Sequence, residues 1–426
     1  MNIPERTRNT LINALSSGVV PRRGLEYIAV GRKKETETFV RDLEDTAAGG
    51  GAFRFISGRF GNGKSFMIQM IRNYAMQNRF AVMDADLSIN RRLTGTRREG
   101  LNTYRELIKN LAIRTRPDGN ALEPVLQDWI DTVRDRLAGE KGSGPDREAL
   151  ERALVSSLMG IRSLTYSEDF IKAAVRYSRD YSEGKWDSPA LRWMRGETDK
   201  KRDAKSQLGV DSIVDDSNWY DFIKIWAEFM VAAGYKGLIV FLDEAVVLYK
   251  LQNSVSRSNN YERLLTIFND IMQGRSSHLS MYVCGTPEFI EDPHRGLYSY
   301  EALRSRLVRG RYENGYDNYL GPVISLRPLT NEEIYVLLKT IRDLHEQRYG
   351  YKSSVDDEKL KIYLGAVLQS SVSASMITPR EITRDLISLL DTMHQNPEAA
   401  FEDMVSGRRV EADKNPDDDL IEDLEL

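Results

Sequence analysis

The sequence feature that most constrains the fold is the run from Gly58 to Ser65, Gly-Arg-Phe-Gly-Asn-Gly-Lys-Ser. It has the form G-x-x-x-x-G-K-[ST], in which flexible glycines let the backbone approach a phosphate group closely. Such a loop works between a strand and a helix, because the helix start supplies N–H groups and a favourable dipole for an anion. The apolar run 52–57 predicts the strand, and apolar residues at helical spacing over 66–75 predict the helix. We therefore interpret the run as a phosphate-binding P-loop and not as a glycine-rich turn with a surface lysine.

Most residues of this loop have an expected role in binding ATP and Mg²⁺. Lys64 is expected to reach the β- and γ-phosphates and to neutralise charge during catalysis, and the Ser65 hydroxyl is expected to ligate Mg²⁺. The residues predicted to contact the nucleotide are Gly58, Gly61, Asn62, Gly63, Lys64, Ser65 and Phe66.

A second candidate motif is the segment 238–244, Leu-Ile-Val-Phe-Leu-Asp-Glu. Its consecutive apolar residues predict a strand buried on both faces, as in a parallel sheet. The acids Asp243 and Glu244 follow at its C-terminal end, where open α/β sheets bind ligands. Asp243 is expected to hold Mg²⁺, and Glu244 is expected to polarise the attacking water as a general base. Together the two motifs predict an α/β fold of the P-loop NTPase type, with a parallel sheet flanked by helices.

Composition limits the kind of partner and compartment. The 426 residues carry a net charge of −4, so any DNA contact must come from a local basic patch. One such patch contains Arg91, Arg92, Arg97 and Arg98, which either bind DNA or a partner or form a solvated basic loop; the solvated loop is slightly favoured. No apolar run approaches the roughly 20 residues that cross a bilayer, and the N-terminus lacks an apolar signal core. We therefore expect a cytoplasmic protein with no membrane partner.

The chain between the two motifs is much longer than the roughly 30 residues of a βαβ unit. Apolar residues at helical spacing run through most of 101–233, which predicts a large helical insertion with a partner- or substrate-specific role. Within it, the polar stretch from Arg195 to Asp216 is predicted to be a loop. After residue 326, helix-capping signals at Thr330 and Thr378 predict the helices of a C-terminal helical lid.

Three polar residues beyond the second motif are further candidates for the site. Thr286 follows a predicted strand and is a candidate polar sensor beside the γ-phosphate. Arg306 lies in an Arg-x-Arg pattern, which is otherwise typical of a solvated helix face. Arg380 opposes the helix dipole in the first turn of the last long helix, so a nearby phosphate would offset its electrostatic cost.

The order of these features resembles that of an AAA+ ATPase, closest to the initiator and clamp-loader branch, over about 30–90 and 235–395. The resemblance implies that Gly31 and Arg32 belong to the segment that packs against adenine, although a plain helix start explains the same residues. It implies that Arg306 is an arginine finger reaching the ATP of a neighbouring subunit in a homo-oligomer. It also implies that Arg380 is the second sensor arginine carried by the lid.

More narrowly, residues 18–32 together with the P-loop resemble the BrxD-like ATP-binding proteins of BREX-type phage-defence systems. This resemblance implies a role beside a helicase or another DNA-acting defence protein. The expected function is ATP hydrolysis that remodels or loads such a partner. Two alternatives stay open, namely a nucleotide-gated switch that does not hydrolyse ATP and a DNA-binding motor.

The predicted domain organisation follows from these features. We expect an N-terminal helix and linker at 1–30, an AAA+ P-loop ATPase core at 31–325 with the insertion at about 101–233, a helical lid at 326–405, and an acidic tail at 406–426. The tail is expected to be disordered, because it is acidic and poor in aromatic residues.

Overall fold

The computed structural model describes residues 3–141, 145–308, 318–370 and 378–405. The acidic tail at 406–426 lies outside these described residues. A five-stranded sheet with the order β2-β3-β4-β1-β5 forms the centre of the fold. Its strands are β1 Phe53–Ser57, β2 Ala81–Asp86, β3 Leu238–Asp243, β4 Leu279–Gly285 and β5 Val323–Ser325.

The paired strands of this sheet run parallel, as their sequences predict. Parallel pairing joins β2 to β3, β3 to β4 and β4 to β1. The central strands β3 and β4 are buried along nearly their whole length, which is why they are continuous apolar runs without alternation. The predicted α/β fold, with a parallel sheet flanked by helices, is confirmed. Sequence reasoning missed β5, because three residues at a sheet edge are too short to show a periodicity.

The chain divides into two compact units. We call the described residues within 1–36, 58–71 and 325–426 the lid unit, and the described residues within 37–57 and 72–324 the sheet unit. Each unit has a hydrophobic core of its own: the lid unit packs apolar residues of its N-terminal and C-terminal helices together, and the sheet unit packs its strands against the helices of the insertion.

Helices occupy most of the remaining described chain. The helices ahead of β2 are α1 Glu5–Ser16, α2 Lys33–Ala47 and α3 Lys64–Gln77. Those between β2 and β3 are α4 Glu99–Lys109, α5 Leu122–Lys141, α6 Arg147–Ser157, α7 Ser167–Ser182, α8 Pro189–Met194, α9 Lys201–Leu208 and α10 Trp219–Ala232. Those after β3 are α11 Val246–Lys250, α12 Ser254–Met272, α13 Pro287–Glu291, α14 Glu301–Leu307, α15 Asn331–Tyr349, α16 Asp357–Ser370, α17 Pro379–Gln395 and α18 Phe401–Val405.

The helices between β2 and β3 pack around buried tryptophans. Trp129, Trp193, Trp219 and Trp226 are all almost completely buried, and each contributes a large apolar area to the core. The predicted loop at 195–216 is wrong in part, since it contains helix α9. Only Ala204 of α9 is buried, so the sequence carries no apolar stripe that would have revealed the helix.

The lid helices begin where the capping signals predict. Thr330 caps α15 and Thr378 caps α17, each in a capping box with the glutamate three residues on. Pro379 occupies the first turn of α17, where its missing N–H costs no hydrogen bond. The capping boxes therefore fix the first residues of α15 and α17.

Candidate nucleotide-binding site

The P-loop starts at the residue after β1 and leads directly into α3. The first helical hydrogen bond of α3 runs from the N–H of Met67 to the carbonyl of Gly63, at 2.9 Å, so the amide groups at 64–66 precede the helical ladder. Gly61 and Gly63 have φ values of +78° and +86°, a conformation that favours glycine. Strand, loop and helix thus have the order and the backbone form that a phosphate cradle requires.

The ammonium group of Lys64 is held by the loop itself. Its Nζ donates to the carbonyl oxygens of Gly58, at 2.7 Å, and Arg59, at 3.2 Å. These bonds fold the side chain back along the loop and place its charge over the loop's own backbone. Ser65, the next residue, is exposed.

A buried arginine connects the P-loop to the segment that leads into the lid. Nη2 of Arg32 donates to the carbonyl of Asn62, at 2.9 Å, and to the carbonyl of Arg327, at 2.8 Å. The side-chain amide of Asn62 donates to the carbonyl of Leu326, at 3.0 Å. Nη1 of Arg32 pairs with Glu35 at 3.2 Å. Leu326 and Arg327 lie between β5 and α15, so these bonds join the loop to the start of the lid.

The N-termini of the lid helices lie against glycines of the loop and of the N-terminal segment. A Cβ placed on Gly61 would fall 2.0 Å from Cγ2 of Thr378, and one placed on Gly31 would fall 2.4 Å from Oε1 of Glu333. Both glycines have positive φ. Sequence reasoning did not assign Thr378 and Glu333 to the site, although their capping boxes place both residues at helix starts.

Arg380 and Phe66 also lie in the lid unit. Arg380 is in the first turn of α17, and its Nε would be 3.2 Å from a Cβ placed on Gly18. Phe66 is half-buried and packs, with Met70, against the apolar core of the lid unit. The lid unit therefore brings together the P-loop, Gly31, Arg32 and the helix that carries Arg380.

The acid pair lies at the C-terminal end of β3, in the sheet unit. Oδ1 of Asp243 accepts a hydrogen bond from the N–H of Glu244 at 2.9 Å, and its backbone carbonyl accepts one from Leu87 at 2.9 Å. Glu244 is exposed and has a φ of +55°, which is uncommon for any residue except glycine. Backbone strain of this kind costs roughly 1–3 kcal/mol and is typical of functional sites.

Thr286 follows β4 and caps the short helix α13. Its Oγ1 accepts a hydrogen bond from the N–H of Phe289 at 3.4 Å, and the residue is buried. Pro287 at the first helical position completes a start signal that the sequence already contained. The structure thus gives the predicted sensor a capping role. It also places Thr286 near the acid pair in the fold, since the N–H of Ala245 donates to the carbonyl of Cys284 at 2.9 Å.

Arg306 is exposed on α14, in the sheet unit. Its Nε donates to Oδ1 of Asn269 at 3.0 Å, and its Nη1 donates to the carbonyl of Ala302 at 2.5 Å. The exposed apolar side chains of Met272 and Val308 lie close in sequence to these contacts, on α12 and after α14.

The arginines of the 91–98 loop are largely paired with carboxylates of the sheet unit. Arg92 pairs with Glu99, Arg91 with Glu106 at 3.3 Å, and Arg98 with Asp199 at 2.5 Å. Arg97 is exposed. The loop backbone is held as well, because Asp216 and Asn260 accept hydrogen bonds from its amides. Most of the loop's positive charge is therefore compensated within the chain.

Comparison with known proteins identifies the family. The family model of the BREX system ATP-binding protein BrxC/D matches residues 3–409, which is nearly the whole chain. Among curated proteins, no match is found. None of the helices in the described ranges is long and apolar enough to cross a membrane. The predicted resemblance to BREX ATP-binding proteins is thus confirmed, and the chain belongs to the BrxC/D family of ATP-binding proteins of BREX phage defence.

Proposed function

We propose that this protein hydrolyses ATP with the help of Mg²⁺ and uses the cycle to remodel or load a DNA-acting partner within the BREX system. Membership of the family establishes ATP as the ligand. The observation that carries the step from binding to hydrolysis is the acid pair Asp243–Glu244. It ends β3, in the same parallel sheet as β1, the strand that leads into the P-loop.

A magnesium ion is part of this proposal, with Ser65 and Asp243 as its protein ligands. Mg²⁺ binds hard oxygen ligands and usually keeps several waters, so one hydroxyl and one carboxylate from the protein suffice beside phosphate oxygens. Ser65 offers the hydroxyl and Asp243 the carboxylate. When bound, Mg²⁺ neutralises charge that develops on the phosphates.

Residues of the chain bind the phosphates, contribute positive charge and orient the attacking water. The amides at the start of α3 hold the phosphates, and the ammonium of Lys64 exchanges its loop carbonyls for phosphate oxygens. The carboxylate of Glu244 accepts a hydrogen bond from the attacking water and orients it. The left-handed backbone at Glu244 fixes how its side chain leaves the end of the strand.

We further propose that the active protein is a homo-oligomer in which Arg306 of one copy acts on the ATP of the next. Arg306 is exposed, and within the described chain its contacts are to an amide and a carbonyl and not to a carboxylate. Its positive charge therefore remains available to a phosphate. Met272 and Val308, which lie close in sequence to Asn269 and Arg306, expose apolar side chains that suit a contact with another protein.

Measurement of phosphate release tests the proposal. The parent protein is expected to turn over ATP, Lys64→Ala to lose binding, and Glu244→Gln to bind ATP with its turnover reduced by about 100-fold or more. Glu148→Gln, a change at an exposed carboxylate of the insertion, should leave turnover unchanged. Parental turnover by Glu244→Gln would show that the base assignment is wrong. ATP binding by the parent without turnover would favour the nucleotide-gated switch.

A further inference from the structure

The segment Leu326–Arg327 lies between strand β5 and helix α15. Both of its carbonyl groups accept hydrogen bonds from residues far away in sequence: Leu326 from Asn62, at 3.0 Å, and Arg327 from Arg32, at 2.8 Å. Arg32 also donates to the carbonyl of Asn62, at 2.9 Å. We call these four residues, all in the lid unit, the hinge clamp.

The guanidinium of Arg32 is buried and engaged on both of its terminal nitrogens. Its side chain is 8% exposed and that of its partner Glu35 is 5% exposed. A buried charge is stable only when it is paired and hydrogen-bonded, and here Glu35 and two carbonyls meet that requirement. The planar fork of an arginine suits this task, since its donors point in fixed directions to several acceptors at once.

The bond to Asn62 controls a neighbouring amide group of the P-loop. The peptide unit that joins Asn62 to Gly63 is planar, and its carbonyl and N–H point in opposite directions. Because Arg32 holds the carbonyl of Asn62, the N–H of Gly63 is turned to the opposite side of that peptide plane. Gly63 has a φ of +86° and immediately precedes α3, so this amide lies at the N-terminal end of the helix.

We propose that Arg32 is a positioning residue that joins the P-loop to the 326–327 segment through the hinge clamp, and that it does not contact the adenine base. It sets the direction of the Gly63 amide and links the 326–327 segment to the phosphate cradle through hydrogen bonds. This role replaces the adenine contact expected for Arg32 from the AAA+ resemblance. It rests on ATP binding, which the family establishes, and not on hydrolysis.

The two roles predict different ligand dependence. A base contact would matter for ATP alone, whereas a residue that orients the phosphate cradle matters for every triphosphate. Equilibrium binding of ATP, GTP and inorganic triphosphate to the full chain distinguishes them. We expect Arg32→Ala to weaken all three by a similar factor, on the order of tenfold, as for loss of a charge-assisted hydrogen bond.

The conservative variant and the control sharpen the test. Arg32→Lys keeps a charge that reaches the carbonyls but not the full fork, so it should restore part of the affinity for all three ligands. Arg79→Ala is the matched control, because Nη2 of Arg79 also donates to a backbone carbonyl, that of Gly234, at 2.8 Å, in the sheet unit. Its binding should equal that of the parent.

Hydrogen exchange at the hinge supplies a readout that does not depend on the ligand. Arg32→Ala and Asn62→Ala should both speed exchange of the amides around 326–330, and a double-mutant cycle should show coupling between them. If Arg32→Ala fails to fold, Asn62→Ala carries the test, because it removes the bond to Leu326 and leaves the guanidinium in place. Loss of ATP affinity alone, or unchanged exchange in Asn62→Ala, would overturn the proposal.

Discussion

Thr378 lies directly against the α-carbon of Gly61, so the N-cap of helix α17 and the P-loop are in contact. A Cβ on Gly61 would fall 2.0 Å from Cγ2 and 2.5 Å from Cβ of Thr378, distances that real atoms do not adopt. Gly61 also has a φ of +78°. Its lack of a side chain thus serves both the backbone turn and the contact with the lid.

Gly61→Ala is expected to destabilise the lid unit by more than backbone strain alone. Alanine in a left-handed conformation costs about 1–2 kcal/mol. The clash with Thr378 should add about 1–3 kcal/mol, as overpacking usually does. Chemical unfolding followed with a lid-specific probe measures the total.

Gly350→Ala is the matched control for this prediction. Gly350 has a φ of +68°, lies in the same unit and has open space around its α-carbon, so it reports strain without a clash. The double variant Gly61→Ala/Thr378→Gly should recover part of the loss, since glycine is tolerated as an N-cap. Equal losses at Gly61 and Gly350 would show that the Thr378 contact is unimportant for stability.

Arg306→Ala is expected to keep ATP binding and to lose turnover by about 1,000-fold or more, the range seen for arginine fingers. Arg304→Ala serves as control, because Arg304 is exposed on the same helix and pairs with Glu301. If the finger acts between copies, mixing Arg306→Ala with Lys64→Ala should restore some turnover, since each variant supplies what the other lacks. Turnover of Arg306→Ala at the parental rate would show that Arg306 does not act on the ATP of a neighbouring copy.

The ion pairs of the 91–98 loop should differ sharply in their effect on stability. Arg92 and Glu99 have side chains that are 13% and 5% exposed, so Arg92→Ala leaves a nearly buried carboxylate unpaired and should cost about 3 kcal/mol. Arg98 and Asp199 are more than half exposed, and Arg98→Ala should cost less than about 1 kcal/mol. Urea unfolding of both variants checks the difference.

Acid should weaken the same pair. Burial by itself would raise the pKa of Glu99, but hydrogen bonds from the amide of Arg97 and from Arg92 outweigh it and hold the pKa below 4.5. The stabilisation is therefore present above pH 4.5 and is lost as the pH falls through the native-state pKa.

Charge reversal of Arg97 and Arg98 tests the alternative that the protein is a DNA-binding motor. If the salt dependence of DNA binding is smaller in this variant than in the parent, the result favours that alternative.

The buried His345 should make the lid less stable in mild acid. Its Nε2 contacts Oδ1 of Asp391 at 3.0 Å, and its Nδ1 contacts the hydroxyl of Tyr351 at 2.9 Å. Burial lowers the pKa of His345 below 6.5, against the opposing effect of Asp391. The neutral form is thus favoured in the native state, and stability falls as the pH drops from 6.5 toward the native-state pKa.

Hydrogen exchange of α15 at neutral and mildly acidic pH measures this dependence. His345→Gln should flatten it, even if the variant is less stable throughout. His294→Gln, at an exposed histidine of the sheet unit, should keep the parental dependence. An unchanged slope in His345→Gln would assign the acid sensitivity to other groups.

The sequence predicts those features that local patterns encode. The P-loop, the buried strands and the capping boxes at Thr330 and Thr378 each lie within a few residues and follow from periodicity or spacing. Helix α9 was missed because only Ala204 faces the core. The capping role of Thr286 was missed although Pro287 marks the helix start.

The hinge clamp shows what local patterns cannot encode. Arg32 donates to the carbonyl of Arg327, and a backbone carbonyl carries no side-chain signal in the sequence. The contact between Gly61 and Thr378 likewise joins positions more than 300 residues apart. Such contacts depend on tertiary packing, so only the folded chain reveals them.

These long-range contacts have a consequence for the newly made protein on the ribosome. The P-loop is synthesised before its long-range partners, because the carbonyl of Leu326 that accepts a hydrogen bond from Asn62 and the methyl group of Thr378 that covers Gly61 belong to residues made much later. At about 5–20 residues per second, the interval is on the order of half a minute. A truncated chain that stops before Thr378 carries the whole phosphate-binding motif without the lid contact that completes it. The contact between Gly61 and Thr378 can therefore form only in a chain whose translation has passed the start of α17.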